Sequence, residues 1–523
     1  MKITNQFLFL CIVLVASILR FYNFFEIPYT HDEYSALFRT NFTNFNDVIQ
    51  QGVKVDGHPA GIQLFLYYWI QIFGSTEWIV KLPFTLFGIS SIILLYKIAQ
   101  KWYNDTVALL SASSLATMQF MVMYSQIARP YISGLFFSLL MVYSISNIIK
   151  NPEKNILRNL IVYLISATLC AYNHYFSLLF ALIVGISSLF YIQRSYLAKF
   201  LLASIVVFIL FIPHLSLTFY QIGVGGVGGW LDKPHLDFIV NFMFYACNFS
   251  IFFVLTIIAI IIWGAYTNKS ITVFDKRFLL FFIWFFLPFS IGFLYSIFVN
   301  AVLQYSVLLF SFPFILFVLF GHITNKSTKI NAILVGVILL VGVISLVLER
   351  NHYTVFYTSP YKQIFIDKEQ ALAKNPSTLC LINNHQKISE YHDLLPDTSV
   401  VLLNSFKTEQ DFIHFLEKNS SKYTSLYLGE LSGTKPVFFP IILEYFPNCI
   451  VQNNYIGATT YIFSKGKSSD RNIISDLNFE NLDFLQWSLI DTSNIKEDNN
   501  KNAFYLCDSL VEWQPAYTIL LDS

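Results

Sequence analysis

Charge is scarce in this chain and almost cancels: Asp, Glu, Lys and Arg make up 12% of 523 residues, with a formal net charge of +1. There is no basic tail, so nothing in the composition suits nucleic acid. Cysteine is equally sparse. Six cysteines lie scattered without a Cys-x-x-Cys spacing, which signals neither a zinc site nor a redox motif. Cys11, Cys170 and Cys247 sit in apolar runs as packing residues; Cys380, Cys449 and Cys507 lie in a polar region where one pair could bridge. No internal repeat is visible. The glycine run from Gly223 to Gly229 has no lysine and no strand–helix context, so it reads as a flexible loop and not as a phosphate-binding loop.

Apolar side chains are what the chain has in excess: 55% hydrophobic and 18% aromatic residues, with a mean hydropathy of +0.56. A soluble chain of this length has no use for that much, so lipid must solvate most of it. Spanning a hydrocarbon core takes ~20 apolar residues, and about eleven runs qualify. They cover 7–25, 78–99, 106–123, 129–149, 158–174, 176–192, 200–219, 238–263, 278–298, 303–321 and 331–348. The first run has no small-residue cleavage site after it and reads as an uncleaved helix. Residues 59–73 are apolar but short, with Tyr67, Tyr68 and Trp69 clustered, as in a helix lying along the interface.

Basic residues set the orientation. Lys97 and Lys101, then Lys150, Lys154 and Arg158, then Arg194 and Lys199 occupy alternate breaks, followed by Lys269, Lys276, Arg277, Lys326 and Lys329. The positive-inside rule makes those breaks cytoplasmic, and Lys2 places the N-terminus there too. The expectation is a multi-pass protein of the inner (plasma) membrane. Its transmembrane domain is residues 1–350, with a first outer loop at 26–77 and everything after about 349 extracytoplasmic. From 351 to 465 the chain turns polar. Strand-like runs at 379–382, 400–403, 425–428 and 459–463 alternate with helix-like stretches at 409–417 and 440–446, which predicts a small α/β domain. Residues 466–523 are Asn/Asp/Ser-rich with strand-like pieces at 503–506 and 517–521, a β-rich or partly disordered tail.

Polar residues from distant segments collect at the outer helix ends. Arg20 closes the first helix, and the loop beyond it carries His31, Asp32, Glu33, Asp56 and His58. Gln126, Arg129 and Tyr131 open the fourth helix, Asn173 and His174 close the fifth, and Gln304 and Tyr305 open the tenth. Adjacent acids at a membrane boundary are costly and usually face a water-filled cavity. Asp32 and Glu33 suit a general base with a neighbour that positions it or tunes its pKa, set against a solvated acidic pair. Arg129 suits a phosphate clamp, set against a side chain snorkelling to the headgroups. His174 divides evenly between a cap and a phosphate or acceptor contact. Asp56 and His58 suit acceptor binding or positioning; they are also of metal-ligating type, but two residues at this spacing specify no ion.

Together these residues resemble the GT-C superfamily of integral-membrane glycosyltransferases, nearest the protein O-mannosyltransferase and aminoarabinose transferase-like group. The resemblance covers roughly residues 5–350. Its elements are Asp32-Glu33; His58-Pro59 leading to Phe73-Gly74-Ser75-Thr76-Glu77; Lys81-Leu82-Pro83; Tyr124-Ser125-Gln126 with Ala128-Arg129-Pro130-Tyr131; and His174-Tyr175-Phe176. It implies a helical membrane protein that transfers a sugar, with inversion, from a polyprenyl-phosphate donor to an acceptor hydroxyl at the outer face. Asp32 would deprotonate the acceptor, while Arg129, Tyr131, His174 and Gln304 would bind the donor phosphate. Membrane lipids and a lipid, glycan or protein acceptor are the implied partners. No cofactor is certain, and a divalent metal stays open. Two positions depart from the family: Gln304 stands where an arginine is common, and Ile127 where an acid is common. The competing classes are a transporter or flippase of lipid-linked glycans, which would place ionisable groups near mid-membrane, and an inactive scaffold of the same fold.

Overall fold

Capping residues turn the apolar runs into discrete helices. Thr4 accepts from Phe7 N at the start of Asn5–Phe21, Asn104 from Val107 N at the start of Asp105–Thr117, and Ser250 from Phe253 N at the start of Ile251–Thr267. Each satisfies one of the donors that a helix start leaves without an internal partner. A computed structural model describes residues 4–224, 231–268, 276–383, 400–431, 438–455 and 457–465, with strand fragments at 487–488, 495–497, 503–505 and 516–517. Most of the glycine run, residues 225–230, lies outside these.

Among the described residues, seven helices are long and apolar enough to cross a membrane, and two bent pairs raise this to nine. The eleven expected runs resolve into those nine and two exceptions. The run at 176–192 is a 14-residue helix, Tyr175–Ser188. The run at 303–321 breaks into a 3-10 turn, Tyr305–Phe310, and a short helix, Pro313–Phe320, because Pro313 has no amide to extend a helix through it. Ala60–Phe73 is a helix of 14 residues, the short form expected.

The two bends are coupled. Asp105–Thr117 turns into Gln119–Ser125 by 65°, and Phe238–Ala246 into Ile251–Thr267 by 92°. Asn248, at the second break, adopts the left-handed conformation that asparagine tolerates. Its side chain accepts from Gln119 N (2.6 Å) and donates to Thr117 O (3.2 Å), both at the first break, and to Ser345 Oγ (2.8 Å). Backbone groups freed by one bend are thus satisfied by the other, as an apolar surrounding demands. Aromatic packing fills the interior: Phe281 meets Trp102, Trp284 and Phe317 edge-on, and Phe120 meets Phe242 and Phe312 likewise.

Beyond the last span lies a five-stranded mixed sheet in the order β2-β1-β3-β5-β4. Its strands are β1 (Thr378–Asn383), β2 (Val400–Leu402), β3 (Ser425–Leu431), β4 (Asn448–Tyr455) and β5 (Ala458–Ser464). Alternation decides the layers. Leu379, Leu381, Leu426 and Leu428 pack with Phe412, Leu416 and Ile442 of two helices on one face. Cys380, Ile382 and Tyr427 pack with Ile364, Phe365 and Ala371 of the Pro360–Lys374 helix on the other. That helix and β4 were not expected from the sequence. Cys380 and Cys449 are not bridged to each other; Cys507 lies outside the described residues. In the tail, Ile495–Glu497 pairs with Ala503–Tyr505, and Trp487–Ser488 with Ala516–Tyr517.

A connector, residues 350–362, fastens the sheet to the membrane helices. Tyr353 Oη donates to Leu19 O (2.6 Å) and Tyr357 Oη to Tyr22 O (2.6 Å). Lys362 pairs with Glu77 at 2.9 Å, and the Tyr361 hydroxyl lies 2.8 Å from His31 Nδ1. The sheet therefore stands over the end of the bundle that bears the 26–77 loop.

Candidate active site

Thr30 starts the helix His31–Phe38 with a reciprocal capping box: its side chain accepts from Glu33 N, and Glu33 Oε2 accepts from Thr30 N at 2.8 Å. Glu33 is completely buried. Lys81 Nζ donates to both its carboxylate oxygens at 2.7 Å, and Ala128 N donates to Oε1 at 2.7 Å. Lys81 Nζ also donates to Gln126 O at 2.8 Å. One ion pair thereby pins the first loop, the Glu77–Trp102 helix and the segment before Ile132–Lys150 to each other. With every position on its carboxylate filled, Glu33 is a latch, and no lone pair is left for chemistry.

Asp32 precedes it by one residue, about 100° around the helix, and points out. Its side chain is exposed and has no hydrogen bond or ion pair among the described residues. Its charge nevertheless reaches Arg129 and Tyr131.

Arg129 is buried opposite. Its Nη1 lies 3.6 Å from Asp56 Oδ2 and its Nη2 3.2 Å from His58 Nδ1, while Nε is buried without a partner. Asp56 is shared: Oδ1 lies 3.2 Å from Arg39 Nη1 and 3.1 Å from His58 Nδ1. Burial alone would raise the Asp56 carboxyl, but His58, Arg129 and Arg39 hold it well below the usual carboxylate range. Burial likewise works against the Arg129 charge; Asp56, Tyr131 and Asp32 more than offset it, so the guanidinium stays protonated. The His174 ring lies 5.0 Å from that of His58 and 6.2 Å from that of Tyr131. His174 Nδ1 accepts from Phe176 N (3.0 Å) as a helix cap, which leaves Nε2 as its free ring nitrogen. The arrangement sets a carboxylate unpartnered among the described residues within electrostatic reach of a buried cation with a donor to spare, which suits proton removal near a developing phosphate charge.

The family model described as dolichyl-phosphate-mannose-protein mannosyltransferase matches residues 57–217. The crystal structure of ArnT from Cupriavidus metallidurans bound to undecaprenyl phosphate superposes with a TM-score of 0.53 at 10% identity, covering 87% of this chain and 97% of that one. Its apo form gives 0.52 at 9% identity over the same shares. The fold is that of the GT-C glycosyltransferases. No curated protein matches the chain by sequence.

Within this GT-C fold the expected residues separate into two groups. Asp32, Asp56, His58, Arg129, Tyr131 and His174 converge from four segments. Gln304 stands apart: it is half-buried, accepts from Ser306 Oγ (3.3 Å), and lines a cavity of about 430 Å³ with Lys233, Asp237, Phe238 and Tyr305. Ser306 also faces Tyr131, which links the two areas. Arg20 is not part of the cluster; it is buried against Ser125 Oγ (3.0 Å) and the carbonyls of Ala16 and Ala116. Asp56 and His58 do not fit a divalent ion: no third ligand joins them among the described residues, and two guanidiniums occupy the neighbourhood.

Three side chains have roles that the sequence did not assign. Lys81 had a legible signal, a lysine four residues into an apolar helix that must find a counter-charge. Arg39, at the end of His31–Phe38, and Gln221 had none. Gln221 Nε2 donates to Val53 O (2.7 Å) and His58 O (3.0 Å), and its Oε1 accepts from Tyr175 Oη, so it ties the His58 loop to the residue after His174.

Proposed function

We propose that this protein transfers a sugar from a polyprenyl-phosphate donor to an acceptor hydroxyl at the outer face of the inner membrane. Asp32 takes the acceptor proton as the new glycosidic bond forms with inversion. The bond from the anomeric carbon to the phosphate oxygen breaks, and its electron pair stays on the lipid phosphate. Arg129 receives that growing charge, with Tyr131 and the free nitrogen of His174 beside it. Gln304, apart from this group and joined to it through Ser306, brings no charge, so the electrostatic work falls on Arg129. A uniformly binding site would not accelerate transfer; a cation whose attraction strengthens as the leaving group charges does.

The observation that carries this reading is an exposed Asp32, unpartnered among the described residues, whose charge reaches a buried Arg129 with an Nε likewise unpartnered among them. The undecaprenyl phosphate held by the ArnT structure of the same fold supports the donor class. Ionisable groups gathered at one end of the bundle favour an enzyme over a transporter. The N-terminus is cytoplasmic in this reading, and the 351–465 domain covers the site from outside. The test is to incubate the purified protein with a panel of undecaprenyl-phosphate sugars and follow release of free lipid phosphate. Release that needs Asp32 and Arg129 supports the reading; no release with any donor, or undiminished release from Asp32→Asn, rejects it.

A further inference from the structure

Two guanidiniums share one carboxylate in this site, and they share it unequally. Asp56 Oδ1 lies 3.2 Å from Arg39 and is further held by Gly57 N (2.9 Å), whereas Asp56 Oδ2 stands 3.6 Å from Arg129. Arg129 is 8% exposed at its side chain and keeps a buried Nε with no partner among the described residues. Its counter-anion is therefore close, yet loosely engaged.

We infer that Asp56 is an internal counter-anion that speeds product release by competing with the lipid phosphate for Arg129. The inference rests on the donor class proposed above. A polyprenyl-phosphate sugar is a phosphodiester with one negative charge. After transfer the lipid carries a monoester, close to two negative charges at neutral pH. Arg39, Arg129 and Asp56 sum to one positive charge, a match for the diester. Without Asp56 the pair would carry two positive charges, a match for the product, and would hold it. Asp32 gains the acceptor proton in the same step in which the phosphate gains its charge, so charge is conserved across the site. Asp56 touches no reacting atom in this scheme; it acts through Arg129, and it is a positioning residue.

The experiment measures the affinity of the purified full chain for undecaprenyl monophosphate, and the donor KM and kcat, for wild type, Asp56→Asn and Arg39→Gln. Anions competing for one cation weaken each other reciprocally, commonly by about 5- to 150-fold. Asp56→Asn is expected to bind the monophosphate at least about tenfold more tightly, with donor KM and kcat both lowered. Arg39→Gln, which leaves Asp56 to Arg129 alone, is expected to bind it more weakly; it carries the test if Asp56→Asn does not fold. Monophosphate affinity that is unchanged or weaker in Asp56→Asn, or unchanged or tighter in Arg39→Gln, overturns the inference while leaving the proposed reaction standing. A wild type with no affinity for undecaprenyl monophosphate rejects the proposed reaction, and the release role with it.

Discussion

Glu33 and Lys81 form an ion pair with no exposed surface, joined at 2.7 Å through both carboxylate oxygens, one residue from the exposed Asp32. Burying two charges is repaid only when each remaining lone pair and proton finds a partner. Thr30, Ala128 and Gln126 supply those partners here. Removing one member leaves the other charged and alone, at a cost of about 3–5 kcal/mol. Lys81→Met is therefore expected to lower the melting temperature in detergent sharply. Lys81→Met with Glu33→Gln should recover part of the loss, since no bare charge remains. A single variant that melts like wild type would remove the latch from the account.

Asp32 is the opposite case. Its carboxylate makes no hydrogen bond or ion pair among the described residues, so Asp32→Asn should fold and melt close to wild type. Loss of a placed base typically costs about 10²–10⁴-fold in rate, and lipid-phosphate release should fall by that order. A joint fall in stability and rate would point to a structural role, and unimpaired release would exclude Asp32 as the base.

Why the sequence showed one of these acids better than the other has a physical answer. Two acids beside a membrane announce a cavity, but a tandem pair does not say which residue faces inward. The capping box decides it: Glu33 stands three residues after Thr30, so it turns back onto the helix start and Asp32 faces away. The lipid-solvated runs were legible because each must be continuously apolar. The breaks at Met118 and Asn248 were not, since an apolar run hides a bend that a distant asparagine satisfies. Arg39 was invisible for a similar reason; its partner Asp56 lies in a loop, with no period to relate them. In the sheet, β1, β3 and β5 were readable from short apolar runs, whereas β4 at the edge, with Asn448, Gln452, Asn453 and Asn454, has a polar composition.

His352 predicts a pH response. It is fully buried in the connector; Nε2 lies 3.1 Å from Gln126 Oε1, and Nδ1 has no partner. Burial, with Arg20 and Arg350 nearby, pushes its pKa down to about 3. The unfolded chain takes up a proton near the ordinary value of ~6.5, while the folded chain stays neutral to about 3. Stability from this residue is therefore complete above that ordinary value and is lost progressively as pH falls toward the folded one. Between pH 7.5 and 5 the wild type should lose more melting temperature than His352→Gln, whose side chain cannot be charged. Parallel losses in the two proteins would assign the acid sensitivity elsewhere.

Gly61 tests how tightly the His58 loop must be held. A Cβ there would lie 2.5 Å from the Tyr172 carbonyl oxygen, a backbone atom of the Ile156–Asn173 helix that cannot swing aside. The adjacent start of Ala60–Phe73 is fixed by Ala60 N donating to His214 Nε2 at 3.0 Å, so the strain cannot dissipate at the helix end. Gly61→Ala must push the two helices apart, which costs about 1–3 kcal/mol by overpacking. The same movement shifts His58 away from Arg129 and His174, so donor KM should rise with the loss of stability. Gly57→Ala is the control: a Cβ there meets nothing within 4 Å, and its amide still reaches Asp56. If Gly61→Ala lowers stability but leaves donor KM at the wild-type value, the close helix contact is structural and the His58 loop takes no part in holding the donor.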